Sequence, residues 1–182
     1  MGSKRIRRGD CYITNTPGAG GSHHADFTLA VPVFHDNILF FWVINRFHQS
    51  DVGAPLSTTY AARAKDIFEE GLHYRAMIIQ SNYEDRSDLI RMIILKNRVA
   101  DRWYGDYLAQ VGALRTAEKR LVELYEELGL ARIREFVTEW LDYSERRLIE
   151  EIKKLPRKRR WQWSDMIQFG MWRPREYRCT QG

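Results

Sequence analysis

A chain of 182 residues with 44% hydrophobic and 13% aromatic side chains has the length of one ordinary domain and enough apolar material for a packed core, which excludes a wholly disordered protein. No apolar run reaches the roughly eighteen residues of a membrane-spanning helix, and the basic Met1 to Arg8 leads into Gly9-Asp10 rather than an apolar stretch. No membrane span and no signal peptide are expected, so the setting read from the sequence is cytoplasmic. The net charge of +5 is concentrated at one end: residues 153 to 182 carry a net +7 and the residues before them −2. A basic tail is weaker evidence for nucleic-acid binding than a basic face on the folded body. Cys11 and Cys179 lie near opposite ends without CxxC spacing, so neither a disulfide framework nor a thiolate metal site is indicated.

Three regions differ in texture: a β-rich region and loop over residues 1–85, a helical region over 86–154, and a basic, tryptophan-containing tail over 155–182. Arg8 to Asn15 suits a first strand. Asp26 to Phe34 alternates, with Phe27, Leu29, Val31 and Val33 on one face, while Ile38 to Phe47 is apolar on both faces and reads as a buried strand. His35-Asp36-Asn37 supplies turn residues between them, which makes the pair an antiparallel hairpin. Ser87 is a candidate N-cap for a helix holding Leu89, Ile90, Ile93 and Ile94. A longer helix fits residues 99–128, with Trp103, Leu114, Leu121 and Leu128 near one stripe, and Gly129 suits its C-cap. Residues 131–153 keep a helical period through Phe136, Trp140 and Leu148, so the two helices are expected as an antiparallel pair joined at Gly129. The fold class is α+β, and the helical aromatics are read as core.

Four of the five histidines fall between residues 23 and 48. A turn centred on Asp36 makes cross-strand partners sum to about 72, so residue 24 faces 48 and residue 26 faces 46. His23 or His24, Asp26 and His48 then gather at the open end of the hairpin. Two imidazoles and a carboxylate with positions left for water or substrate suit a catalytic divalent ion such as Zn²⁺, Mn²⁺ or Fe²⁺. Strict strand alternation selects His24 as the companion of Asp26, whereas His23 joins it only if the chain bends there. The competing reading is that histidines beside a glycine-rich loop are simply solvated. His35 reads as a turn residue and His73 as a lone surface or interface histidine, and neither enters the site. Thr16 to Ser22 is glycine-rich but lacks the GK[ST] ending of a phosphate loop, so it reads as a flexible loop. No Ser-His-Asp or Cys-His pattern can be assembled, and no catalytic residue is assigned.

Several ordered motifs carry a resemblance: Gly9-Asp10-Cys11-Tyr12-Ile13-Thr14-Asn15, Gly20-Gly21-Ser22-His23-His24-Ala25-Asp26, Pro32-Val33-Phe34, and Asn45 through Gly53. They are followed by Asp66 through Gly71, the Gly105-Asp106 and Ala109-Gln110 pairs, and Asp142 through Arg147. The sequence resembles the hydantoinase B / 5-oxoprolinase / acetone (ketone) carboxylase α-subunit family over residues 9–156. In the carboxylase branch of that family a His-x-x-Asp pair and a histidine ending the next strand hold the metal, which by position implies His23, Asp26 and His48. Thr16 stands where the family usually has aspartate, and Gly53-Ala54 where it usually has paired glycines.

The resemblance implies an ATP-dependent enzyme subunit that carboxylates a ketone or hydrolyses a cyclic amide. ATP and Mg would lie on a kinase-like ATPase partner subunit, which agrees with the lack of a phosphate loop here. Gln49 and the Ala64 to Phe68 run resemble the carboxylases, while Glu69-Glu70-Gly71 and Tyr143 to Arg147 resemble the hydantoinases, and the balance leans to carboxylase. Family subunits are several times longer, so the chain is expected to be a fragment of a larger subunit, inactive without partners, and its tail a truncated or diverged end. A rival of another class is a non-enzymatic binding or assembly module, in which Lys153 to Arg160 with Trp161, Trp163 and Trp172 grip phosphates and stack bases. Subunit docking by that tail is the favoured alternative to nucleic-acid binding.

Overall fold

The computed structural model describes residues 6–19, 23–57 and 61–155, and the backbone of residues 162–166 and 172–176. The chain divides into two compact units, Met1–Ile133 and Arg134–Gly182. The first holds a five-stranded antiparallel sheet in the order β3-β2-β1-β4-β5, built from β1 (Cys11–Thr14), β2 (Asp26–His35), β3 (Ile38–His48), β4 (Met77–Ser81) and β5 (Glu84–Asp85). Asp36 and Asn37 make the β2–β3 turn with φ of 47° and 62°, a two-residue connection whose backbone matches the twist of the strands it joins. Asn82 and Tyr83 repeat the device between β4 and β5, with φ of 53° and 66°. This second hairpin was not anticipated, although Met77-Ile78-Ile79 ahead of an asparagine is a strand-and-turn signal.

The core forms on one face of the sheet. Phe27, Leu29 and Val31 of β2, Cys11 and Ile13 of β1, and Ile79 of β4 are buried with Leu89, Ile90 and Ile93 of α1 (Ser87–Leu95) and Trp103, Tyr107 and Leu114 of α2 (Ala100–Lys153). The alternation read in β2 thus marks its core face. β3 departs from expectation. Its apolar side chains do not make it a buried strand, for Ile38, Leu39, Trp42, Ile44 and Phe47 are exposed. The reason is position: β3 ends the sheet order, and no further strand pairs with its outer edge among the described residues.

α1 starts at Ser87 itself, with Arg86 in the N-cap position and no side-chain cap, so the expected cap is displaced by one residue. α2 is interrupted at Gly129, whose φ of 76° and ψ of 156° no helix accommodates. The expected junction therefore lies where a residue without Cβ takes the positive φ at least cost. Beyond it, Phe136, Trp140, Leu141 and Leu148 are exposed. In the second unit the backbones of β6 (Gln162–Met166) and β7 (Trp172–Glu176) pair antiparallel; the rest of the tail after Leu155 lies outside the described residues. No helix among the described residues is long and apolar enough to cross a membrane.

Candidate functional site

The β2–β3 ladder sets the site. Asp26 lies opposite His48 and Thr28 opposite Arg46, a register two residues away from the expected one. One residue of the difference arises because the turn centres between Asp36 and Asn37. The other comes from an irregularity at Phe40: Phe34 pairs with Leu39 but Val33 with Phe41. Both shifts act in the same direction and bring His48 directly across from Asp26.

The histidine pair ahead of β2 is not part of the strand. Asp26 N–H donates to the His23 carbonyl at 3.2 Å and Phe27 N–H to the Ala25 carbonyl at 3.1 Å, so the chain turns over residues 23–25. Strand alternation therefore fails there, and His23 rather than His24 is brought to Asp26, with Nε2 3.6 Å from Oδ2. His48 Nδ1 lies 3.0 Å from Asp26 Oδ1, and the His23 and His48 rings meet edge-on with centroids 4.8 Å apart. One donor atom from each of His23, Asp26 and His48 lies within 4.8 Å of the others. The side chains are 24%, 14% and 44% exposed, so the cluster opens to solvent on the His48 side.

Rigid neighbours hold this end of the hairpin. Gln49 N–H donates to the Ala25 carbonyl at 2.7 Å, tying the residue after His48 to the turn that carries His23. The buried Gln110 of α2 donates from Nε2 to the Phe27 carbonyl at 3.2 Å, next to Asp26. Arg46 Nε donates to Thr28 Oγ1 at 3.1 Å on the neighbouring rung of the ladder. Just beyond, the fully buried Asp51 accepts from Arg98 Nε at 2.8 Å, from Arg98 Nη2 at 2.6 Å and from the backbone N–H of Arg98 and Gly53. Burial pushes the Asp51 carboxyl up, but these hydrogen bonds and the guanidinium charge outweigh it and hold the group below the usual carboxylate range.

His35 stays out of the cluster, stacked on Tyr125 with centroids 4.0 Å apart. His73 is not the lone histidine expected. Its Nδ1 lies 3.0 Å from His24 Nε2, and His24 Nδ1 lies 2.7 Å from Glu70 Oε2. No spacing rule links residue 24 to residues 70 and 73, since a loop brings them together. Of the glycine-rich loop, Pro17–Ala19 forms a 3-10 turn, and residues 20–22 lie outside the described residues. Cys11 is no nucleophile: burial pushes its thiol up to about 12, against the opposing pull of Arg115.

Comparison with known proteins decides the family. The Hydantoinase B/oxoprolinase family matches over residues 1–180. The chain belongs to the Hydantoinase B/oxoprolinase family. Within it, the caprolactamase subunit beta of Pseudomonas jessenii is 31% identical over 151 residues, covering 83% of this chain and 26% of that protein. The acetophenone carboxylase delta subunit of Aromatoleum aromaticum is 27% identical over 150 residues, covering 80% of this chain and 22% of that one. The crystal structure of the ATP-dependent caprolactamase from Pseudomonas jessenii superposes with a TM-score of 0.77 at 30% identity, over 88% of this chain and 27% of its own. The chain thus spans about a quarter of the length of these two relatives. The Thr16 hydroxyl donates to the Tyr74 carbonyl at 3.1 Å.

Proposed function

We propose that this hydantoinase B family chain is the metal-binding segment of a subunit of an ATP-dependent enzyme that opens cyclic amides, with His23, Asp26 and His48 as the metal ligands. The observation that carries the reading is the convergence of two imidazoles and one carboxylate at the open end of a hairpin. The donor set suits Mn²⁺, Zn²⁺ or Fe²⁺. The candidate donor atoms lie within 4.8 Å of one another, close to the spacing of about 4.2 Å or less that ligands of one ion require. A bound ion would supply Lewis acidity toward a carbonyl oxygen or lower the pKa of a water. The protein's own residues do the rest. Asp26 offsets part of the ion's charge, the imidazoles bind as neutral donors, and the exposed side of the cluster leaves room for substrate.

This reading places ATP and Mg on a kinase-like ATPase partner subunit, as the family resemblance implies. The cyclic amide branch is favoured over the sequence's lean to ketone carboxylation because the caprolactamase subunit is the more similar of the two relatives above, at 31% against 27% identity. Carboxylation of a ketone remains the second reading, supported by Gln49 after His48 and by the Ala64 to Phe68 run.

The test is reconstitution with the companion polypeptides, following ADP release. A lactam, a hydantoin or 5-oxoproline should drive ADP release that His23→Ala, Asp26→Ala and His48→Ala abolish. Release driven only by acetone or acetophenone with bicarbonate transfers the assignment to the carboxylase reading. Release that survives all three substitutions contradicts the site.

A further inference from the structure

We propose that Glu70 and His73 are positioning residues, which act through the buried His24 to fix the turn carrying His23 and so set how tightly the site holds a divalent ion. The proposal rests on the metal reading above. His24 is 3% exposed, and both of its ring nitrogens are engaged from a segment more than forty residues further along the chain. His73 Nε2 lies 2.6 Å from the Ile67 carbonyl, which can only accept, so Nε2 carries the hydrogen. His73 Nδ1 then meets His24 Nε2 at 3.0 Å, and Glu70 Oε2 meets His24 Nδ1 at 2.7 Å from the other side. The His24 ring is therefore clamped along its length.

The segment that does this is itself built for the purpose. Asp66 Oδ1 accepts from the N–H of Phe68 at 2.9 Å and Glu69 at 3.2 Å, capping the 3-10 turn Ile67–Glu70 that presents Glu70. Gly71 follows with φ of 107°, and a Cβ there would meet the Val52 carbonyl oxygen at 2.3 Å. Glycine alone allows that approach, which lets Leu72 N–H donate to the Val52 carbonyl at 2.8 Å and returns His73 to His24. Asn15, fully buried, repeats the tie on the backbone side. Its Nδ2 donates to the carbonyls of His24 and Leu72 at 3.0 and 2.7 Å, and its Oδ1 accepts from Tyr74 N–H at 2.7 Å. Ring and carbonyl of His24 are thus both held by residues 70–74 or their partner, one peptide away from His23. A ligand must be held to within about 0.5 Å for its geometry to count, and loss of a group that orients one weakens metal binding about 10- to 100-fold.

The experiment is a Co²⁺ titration of the 182-residue chain followed by its visible absorption, with thermal unfolding measured on each variant. Glu70→Ala and His73→Ala should weaken Co²⁺ binding about tenfold and alter the d–d bands, with the unfolding midpoint unchanged. Glu70→Gln, which keeps an acceptor oxygen beside His24, should restore most of the affinity. Affinities within about twofold of the parent in both alanine variants, with His23→Ala still abolishing binding, would overturn the positioning role and leave the metal reading intact. A parent chain that takes up no Co²⁺ would remove both.

Discussion

At the scale of single residues, Asp51 links the hairpin to pH. Its carboxyl is held below the usual range by Arg98 despite the opposing effect of burial, so its folded value lies under the unfolded value of about 3.9. The stability it contributes is then complete above that unfolded value and is lost as pH falls through the lower folded one. The expected outcome is that Asp51→Asn is less stable than the parent at pH 5 to 7, and that the gap narrows below about pH 4. Urea unfolding midpoints across that range check it, and a gap independent of pH would contradict the role given to Asp51. Residues also show where sequence reading stops. The gathering of His23, Asp26 and His48 followed from the family motif, while alternation alone pointed to His24. Alternation failed because residues 23–25 are a turn outside β2. The partnership of His24 with Glu70 and His73 was invisible because it depends on a loop closure, and neither period nor spacing encodes that.

At the scale of elements, the hairpin was legible and its register was not. Alternation in β2 and the turn residues at Asp36 and Asn37 announced two paired strands, but the irregularity at Phe40 has no sequence signature and moved the partners of Asp26 to Val33 by one. β3 shows that a strand with apolar side chains on both faces is not thereby a buried one, since burial depends on which neighbours lie on each side. The helical stripe was more informative. Trp103 and Leu114 of α2 are buried as the stripe implied, joined by Tyr107 and Gln110, whereas Leu128 further along the stripe is exposed, and Gln110 ties α2 to β2 through the Phe27 carbonyl. Removing the largest of these should show it. Trp103→Ala is expected to destabilise the fold by about 3–5 kcal/mol, measured by chemical denaturation, through lost burial and the cavity left behind. A loss below about 1 kcal/mol would mean that α2 does not support the sheet as described.

At the scale of the whole molecule, each of the two compact units leaves apolar surface open. Ile44 and Phe47 on β3, and Trp140 and Leu148 on α2, are exposed, and the chain spans 26% of the caprolactamase subunit beta and 22% of the acetophenone carboxylase delta subunit. The division of labour in the proposed enzyme makes nucleotide binding a discriminating property. The isolated chain is expected to show no Mg²⁺-dependent ATP binding by calorimetry, and tight binding would contradict the placement of ATP on a partner. The central claim, one divalent ion on His23, Asp26 and His48, is tested most directly by elemental analysis of the purified chain after loading with Mn²⁺ or Zn²⁺ and desalting. The account predicts close to one equivalent retained by the parent and by Asp36→Ala, a turn residue at the far end of the hairpin, and strong loss in His23→Ala, Asp26→Ala and His48→Ala. Equal metal content in all five proteins would contradict it.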